Sequence, residues 1–239
     1  MDEIQTFYNK VKLEDTSDDP EGPAPITHVH VFKKAYPRMP ATHLVTQPDP
    51  ESQLDQLLGI RESSRIFSDK ALQLTDLAKI LGSCRIVDLA RDPERRTYPS
   101  GGARFPVELY VVNFNVEGLE QGAFHYNMPD FCLERVLHED LRHARRALIS
   151  PYLENPAATL IFTSVLSRSA VKYGLRAYPY SLIEAGHMGQ NIHLKCAELG
   201  IGSCSVSGFV DSVVVKTLDL TKGEIPIYSI SIGHRMTHT

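Results

Sequence analysis

Apolar and polar positions along the chain follow two different periods, and the changes of period mark out the elements. Residues 51–60 (ESQLDQLLGI) and 74–84 (LTDLAKILGSC) space their apolar side chains at helical intervals. In the second, Leu74, Leu77, Ile80 and Leu81 share a face and Thr75 is placed as an N-cap. Residues 107–116 (VELYVVNFNV) predict a strand, and 122–127 (GAFHYN) a short return strand after the LEQG turn. Residues 134–150 (ERVLHEDLRHARRALIS) predict a charged amphipathic helix. The unbroken apolar run 158–166 (ATLIFTSVL) predicts a buried strand. Residues 181–200 predict the longest helix, with Gly200 at its C′ position, and 225–233 (IPIYSISIG) a last strand. Strands and helices mix without strict βαβ alternation, which argues an α+β domain around one sheet over residues 51–239. Residues 1–50 are rich in proline (Pro20, Pro23, Pro25, Pro37, Pro40, Pro48) and predict an extended arm, with ITHVHVF at 26–32 as one short strand.

Composition narrows the function classes. The 239 residues carry a net charge of −4, with 42% hydrophobic and 23% charged positions, so the chain is not a polycation built for nucleic acid. No apolar run approaches the length of a membrane span, and the polar, acidic N-terminus does not read as a signal peptide. Cys84, Cys132, Cys196 and Cys204 are scattered, which fits a reducing, cytoplasmic setting with the thiols as small buried hydrophobes. His187 and His193 stand six apart and face differently on their helix, so no metal site is expected.

Five short constellations carry candidate chemistry. Arg61, Ser63 and Arg65 (RESSRIF) bring two guanidiniums and a hydroxyl within reach of one phosphate. Pro99, Ser100 and Gly101 (YPSGGARF) make a backbone with few side chains, which a flat ligand can approach. In KYGLRAYPY, Lys172 beside Tyr173 makes a proton-transfer pair, because a neighbouring cation favours the phenolate. Glu184, His187 and Asn191 lie at i, i+3 and i+7 on one helix, a polar stripe that must find partners. On the same helix, Gly186 and Gly189 suggest close packing against another backbone, such as a second subunit. GIGSCSVSGFVD at 200–211 can aim backbone N–H groups at one acceptor, although it is no dinucleotide fingerprint. Taken singly, each also fits an ordinary turn, surface or basic stretch.

Their order and spacing resemble the nitroreductase-like flavoenzymes, and among these the SagB-type azoline dehydrogenases that form thiazoles and oxazoles in ribosomal peptides. The motifs that carry the resemblance are RxSxR, PSGGARFPxELY, KYGxRAY, IEAGHMGQNIHLKCAELGIGSCSVSGFVD and SISIGHR, over about residues 55–235. The resemblance implies a nitroreductase-like FMN-binding fold: a mostly antiparallel sheet flanked by helices, in an intertwined homodimer. It implies that Arg61, Ser63 and Arg65 grip the FMN phosphate, with Arg235 close by. Pro99, Ser100 and Gly101 would pack beside the flavin ring, reaching across the dimer interface. Backbone N–H groups at Ser207 and Gly208 would face flavin N5 and O4, and Glu184 and Asn191 would lie near the cofactor. Lys172 and Tyr173 match the pair that takes the ring proton while a hydride passes to the flavin. The implied partners are a peptide substrate and a YcaO-type cyclodehydratase, with no nucleic acid and no membrane. Ala103 stands where ordinary nitroreductases carry Asn, and Ser207 where they carry Glu, which points away from a generic NAD(P)H-fed nitro or quinone reductase. That reductase, and a non-catalytic subunit of a synthetase complex, are the rival readings.

Overall fold

Six strands form one sheet, and every neighbouring pair in it is antiparallel. In chain order they are β1 (Val107–Asn113), β2 (Gly122–Asn127), β3 (Cys132–Leu137), β4 (Ala158–Val165), β5 (Ile201–Val206) and β6 (Glu224–His234). Their order across the sheet is β3–β2–β1–β4–β6–β5. Among the described residues six helices of seven residues or more accompany them: α1 (Asp2–Val11), α2 (Gln53–Ile60), α3 (Leu74–Leu81), α4 (Ser167–Tyr173), α5 (Ala177–Glu198) and α6 (Asp211–Thr217). This computed structural model describes residues 2–14, 36–44 and 48–236; the expected strand at 26–32 lies outside them.

The twofold period of a strand divides the core. From β1 and β4, Val107, Leu109, Val111, Leu160 and Phe162 join one buried cluster with Met188 and Ile192 of α5 and Leu77 and Ile80 of α3. Tyr110, Val112 and Ile161 join a second, closed by Leu148, Leu153 and Val214 of α6. A central strand buried on both faces is mostly apolar, which is why the run at 158–166 reads correctly, and its buried Thr159, Thr163 and Ser164 are each hydrogen-bonded. The 22-residue α5 spans the first face, and Gly200 follows its C-cap Leu199.

The structure corrects several expectations. Residues 134–150 are not one helix: β3 is followed by a short 3-10 turn, Leu141–Ala144, and a single helical turn, Arg145–Leu148. Asp140 breaks the run, because its extended backbone and its carboxylate, accepting from the Arg142 N–H at 3.0 Å, start a new turn there. The charges of β3 suit an exposed sheet edge, where they discourage further strand pairing. α3 begins at Leu74, so Gln73, not Thr75, is its N-cap. KYGLRAYPY holds the end of α4, a turn at Gly174 and the start of α5. Cys132 is exposed, unlike the other three cysteines. Inside the segment expected to be extended, α1 is a helix, because Ile4, Phe7, Tyr8 and Val11 fall at i, i+3, i+4 and i+7. Ile4 and Tyr8 pack on Leu166 and Ile225. Among the described residues no helix is long and apolar enough to cross a membrane.

Candidate functional site

The sequence-predicted residues gather into two polar clusters along α5, one near Glu184 and one near His193. Nine residues separate these two on the helix, about 13 Å of axis and half a turn of rotation. The clusters therefore lie on opposite sides of the helix.

The first cluster is stitched to the end of the sheet. α2 ends at Arg61, whose backbone turns extended, and the chain then runs beside β5 and the end of β6. Ser64 N–H donates to the Ser203 carbonyl at 3.0 Å, Phe67 N–H to Glu154 at 3.0 Å, and Ser68 N–H to His234 at 2.9 Å. Phe67 is fully buried and anchors the segment, while Ser63 and Arg65 stay exposed. Arg235 bridges back to Phe67 and pairs with the exposed Glu62 at 2.7 Å. Gly202 is pressed between Ser64 and Arg235: a Cβ there would come within 2.9 Å of Ser64 Cβ and 3.0 Å of Arg235 Cγ. Beneath this cradle His193 bridges the hydroxyls of Ser203 (2.7 Å) and Ser205 (2.5 Å), and the Tyr228 hydroxyl donates to Ser205. Burial, with Arg61 nearby, pushes the imidazole down to about 4, so it is neutral and one ring nitrogen donates while the other accepts.

The structure brings Arg61, Ser63, Arg65 and Arg235 together with Ser203 and Ser205 of the 200–211 segment, and adds Ser64, His193 and Tyr228, which sequence reasoning did not name for this site. The fit to a phosphate is good. Arg61 and Arg65 make no ion pair among the described residues, and Arg235 Nε is buried without a partner. Ser207 and Gly208 leave the far end of β5, and no hydrogen bond joins them to either cluster among the described residues.

The second cluster is built on loops. Pro99, Ser100 and Gly101 line a cavity of about 300 Å³ with Tyr180, Glu184 and His187. Ser100 Oγ accepts from the Phe105 N–H at 2.9 Å and so ties the loop on itself. Gly102, Ala103 and Phe105 all have positive φ (62°, 51° and 44°), a backbone that costs on the order of 1–3 kcal/mol at each non-glycine position. Gly102 sits directly against the predicted pair: a Cβ there would meet the Tyr173 hydroxyl at 2.3 Å and Lys172 Nζ at 3.1 Å. The Lys172 ammonium lies 5.2 Å from the centre of the Tyr173 ring, whose edge meets Tyr180 with 5.1 Å between ring centres. The structure thus brings KY, PSGG and the stripe on α5 together.

Glu184 is 2% exposed, and its Oε2 has no partner, while Oε1 accepts weakly from the Val107 N–H at 3.4 Å. Burial lifts its carboxyl to about 7, against the opposing pull of Ser100, the Val107 N–H, Arg96 and Arg168. Asn191 donates its amide to the carbonyls of Ser83 (3.3 Å) and Thr97 (3.1 Å), which fastens the strand leading into Pro99. Of the polar stripe on α5, Asn191 is thus paired, while Glu184 keeps one oxygen without a partner. Tyr180 and Gly102 were missed as site residues, although both fall inside the quoted motifs.

Known proteins resemble this chain in sequence and in fold. The nitroreductase family model matches residues 58–234. A putative nitroreductase of Methanocaldococcus jannaschii is 31% identical over 79% of this chain and 95% of its own. The microcin B17-processing protein McbC of Escherichia coli is 32% identical over 53% of this chain and 49% of its own length. The trifolitoxin-processing protein TfxB of Rhizobium leguminosarum is 29% identical over 59% of this chain and 40% of its own. The chain thus spans about half the length of the peptide-processing relatives it matches, or less. Among solved structures, a chain of the E. coli microcin synthetase McbBCD complex with truncated pro-MccB17 bound shares the fold. Its TM-score is 0.80 at 24% identity, over 99% of this chain and 95% of that one.

Proposed function

This chain belongs to the nitroreductase family, and from that premise we propose that it is an FMN-dependent dehydrogenase that oxidises azoline rings in a ribosomally made peptide to azoles. Likeness to the microcin- and trifolitoxin-processing proteins supports the substrate class. The observation that carries the reading is the contact of Gly102 with both Tyr173 and Lys172, which sets a proton-transfer pair against a loop suited to a flat ligand.

Arg61, Ser63 and Arg65 bind the cofactor phosphate, and Arg235 joins them once it releases Glu62. Pro99–Gly101 present backbone to the ring system, with Glu184 and Asn191 holding that loop from α5. Ser207 and Gly208 aim N–H groups where negative charge develops. Tyr173 takes the acidic proton of the azoline, with the Lys172 ammonium beside its ring. Bound FMN supplies the two-electron acceptor for the hydride that leaves the same ring.

The two clusters face opposite sides of α5, so one chain alone does not enclose a flavin between them. This supports a homodimer in which each copy completes the other's site. Two surfaces suit that contact. α2 buries none of its residues and exposes Leu54, Leu58 and Ile60, and α5 exposes Leu182 and Ile183 beside the open Gly186. A cyclodehydratase of the YcaO type would supply the azoline, since a dehydrogenase acts on a ring already closed.

Tyr173→Phe tests the reading. Azole formation, followed by mass spectrometry as loss of two hydrogens, should fall by about 10²–10⁴-fold while flavin stays bound. An unchanged azole yield would sink the assignment. Likeness to the FMN reductase (NADPH) of Bacillus subtilis favours the reductase as second reading; it requires NAD(P)H to reduce the flavin without any peptide.

A further inference from the structure

A hollow of about 810 Å³ lies beyond the loop cluster and shares Ala103 and Phe105 with it. It lies between the turn at residues 89–96, the strained loop 103–105 and the N-terminal end of α4. A second hollow of about 420 Å³ shares Arg91, Arg96 and Phe105 with it. That second hollow also shares Pro99 and Ser100 with the 300 Å³ cavity holding Glu184. The three follow one loop in series, and Gly102 of that loop faces the Lys172–Tyr173 pair.

The base of the first hollow is a fixed ion network. His125 bridges Glu108 (3.0 Å) and Glu134 (2.9 Å), and Glu108 also pairs with Arg168. The hydrogen bond to Glu108 raises the imidazole above its usual range, which favours the charged form. Arg168 Nη1 also donates to the Phe105 carbonyl at 3.0 Å. Arg168 precedes Lys172 by four residues, so the two share a face of α4. Arg96 is occupied as well, by Glu94 and the Tyr98 hydroxyl, with its guanidinium 4.0 Å from the centre of the Phe105 ring. Once these pairs cancel, the exposed Arg91 and Arg104 make no ion pair among the described residues, against one unpaired carboxylate, Asp92.

We propose that this series of hollows seats the stretch of peptide flanking the azoline, and that Arg91 and Arg104 select carboxylates in it. The occupant is an extended acidic segment. A series of hollows suits a chain rather than a compact molecule, and uncommitted guanidiniums beside an ion-paired floor suit acceptors brought from outside. The inference rests on the azoline-oxidising reading for its substrate, but its test does not.

Two fluorescent azoline peptides, identical except for Asp and Glu in one replaced by Asn and Gln in the other, are titrated into the flavin-loaded protein and into its Arg91→Gln/Arg104→Gln variant. The acidic peptide should bind the native protein about fivefold tighter than the neutral one. The variant should lose that preference while binding the neutral peptide as before, and raised salt should erase it in the native protein. Equal binding of both peptides, binding of neither, or a preference unchanged in the variant overturns the proposal. Binding is read independently of oxidation. Preferential binding without azole formation would leave the peptide seat standing and the enzymatic reading fallen; azole formation from both peptides without preference would do the reverse.

Discussion

The two clusters flanking α5 are made of similar residues and held in opposite ways. The arginine cradle is stitched by main-chain bonds to β5 and β6, and its buried His193 is satisfied at both ring nitrogens. The loop site rests on left-handed backbone at three positions, and the buried Glu184 there keeps an oxygen without a partner. Rigid, satisfied backbone suits holding a cofactor in one pose. Stored strain and an unmet carboxyl suit a place where a substrate completes the bonding. On this account the cradle binds and the loop reacts, so the two halves should fail in different ways.

The largest separation should come from Arg61→Ala/Arg65→Ala. Loss of two charge-assisted contacts should weaken flavin affinity by about a thousandfold, read by retention on desalting and by titration with FMN. Turnover at saturating flavin should change little, and a variant that binds normally but turns over slowly would break the division of labour. Gly102→Ala should do the reverse. A Cβ at φ 62° displaces Tyr173 and should cut turnover by about a hundredfold with flavin affinity kept.

A smaller effect sharpens the contrast in burial. The Glu184 carboxyl sits near 7 when folded, above its unfolded value, so folding favours its protonated form. Its contribution is whole at low pH and is lost as pH rises through 7. Denaturant titrations should show about 2 kcal/mol less stability at about pH 7 than at about pH 5, a slope absent in Glu184→Gln. The smallest concerns the strap joining the two ends. The Tyr8 hydroxyl donates to Asp211 at 2.6 Å just after the Ser207–Gly208 turn, while Phe7 packs its ring on Tyr178 at the start of α5. Tyr8→Phe should cost about 1.5 kcal/mol in a thermal melt. No change would mean that α1 contributes nothing to holding that turn.

The sequence revealed whatever rests on local pattern. β1, β2, β4, α5 and β6 are apolar runs or periods that tertiary contacts only reinforce, and each appears where expected. β3 was misread because an edge strand spends its charges on neighbouring strands, as Glu134 does on His125, and such spacing mimics a helix. α1 was legible in Ile4, Phe7, Tyr8 and Val11, but proline-rich sequence beyond it masked the stripe. Within the site, RxSxR, PSGG and Lys172–Tyr173 could be named from sequence. Their grouping could not, since Arg235 reaches Phe67 only through the sheet and His193 meets Ser203 and Ser205 only because β5 returns along α5. The stripe said that Asn191 must find partners, but not that its amide N–H groups would go to the carbonyls of Ser83 and Thr97.

The central claim is two-electron oxidation of an azoline by bound flavin, and a single turnover without oxygen tests it most directly. Mixing flavin-loaded protein with an azoline peptide, and no nicotinamide, should bleach the flavin absorbance and yield about one azole per flavin. Flavin that keeps its colour with the peptide but bleaches at once with NAD(P)H alone would contradict the account and make the protein a reductase.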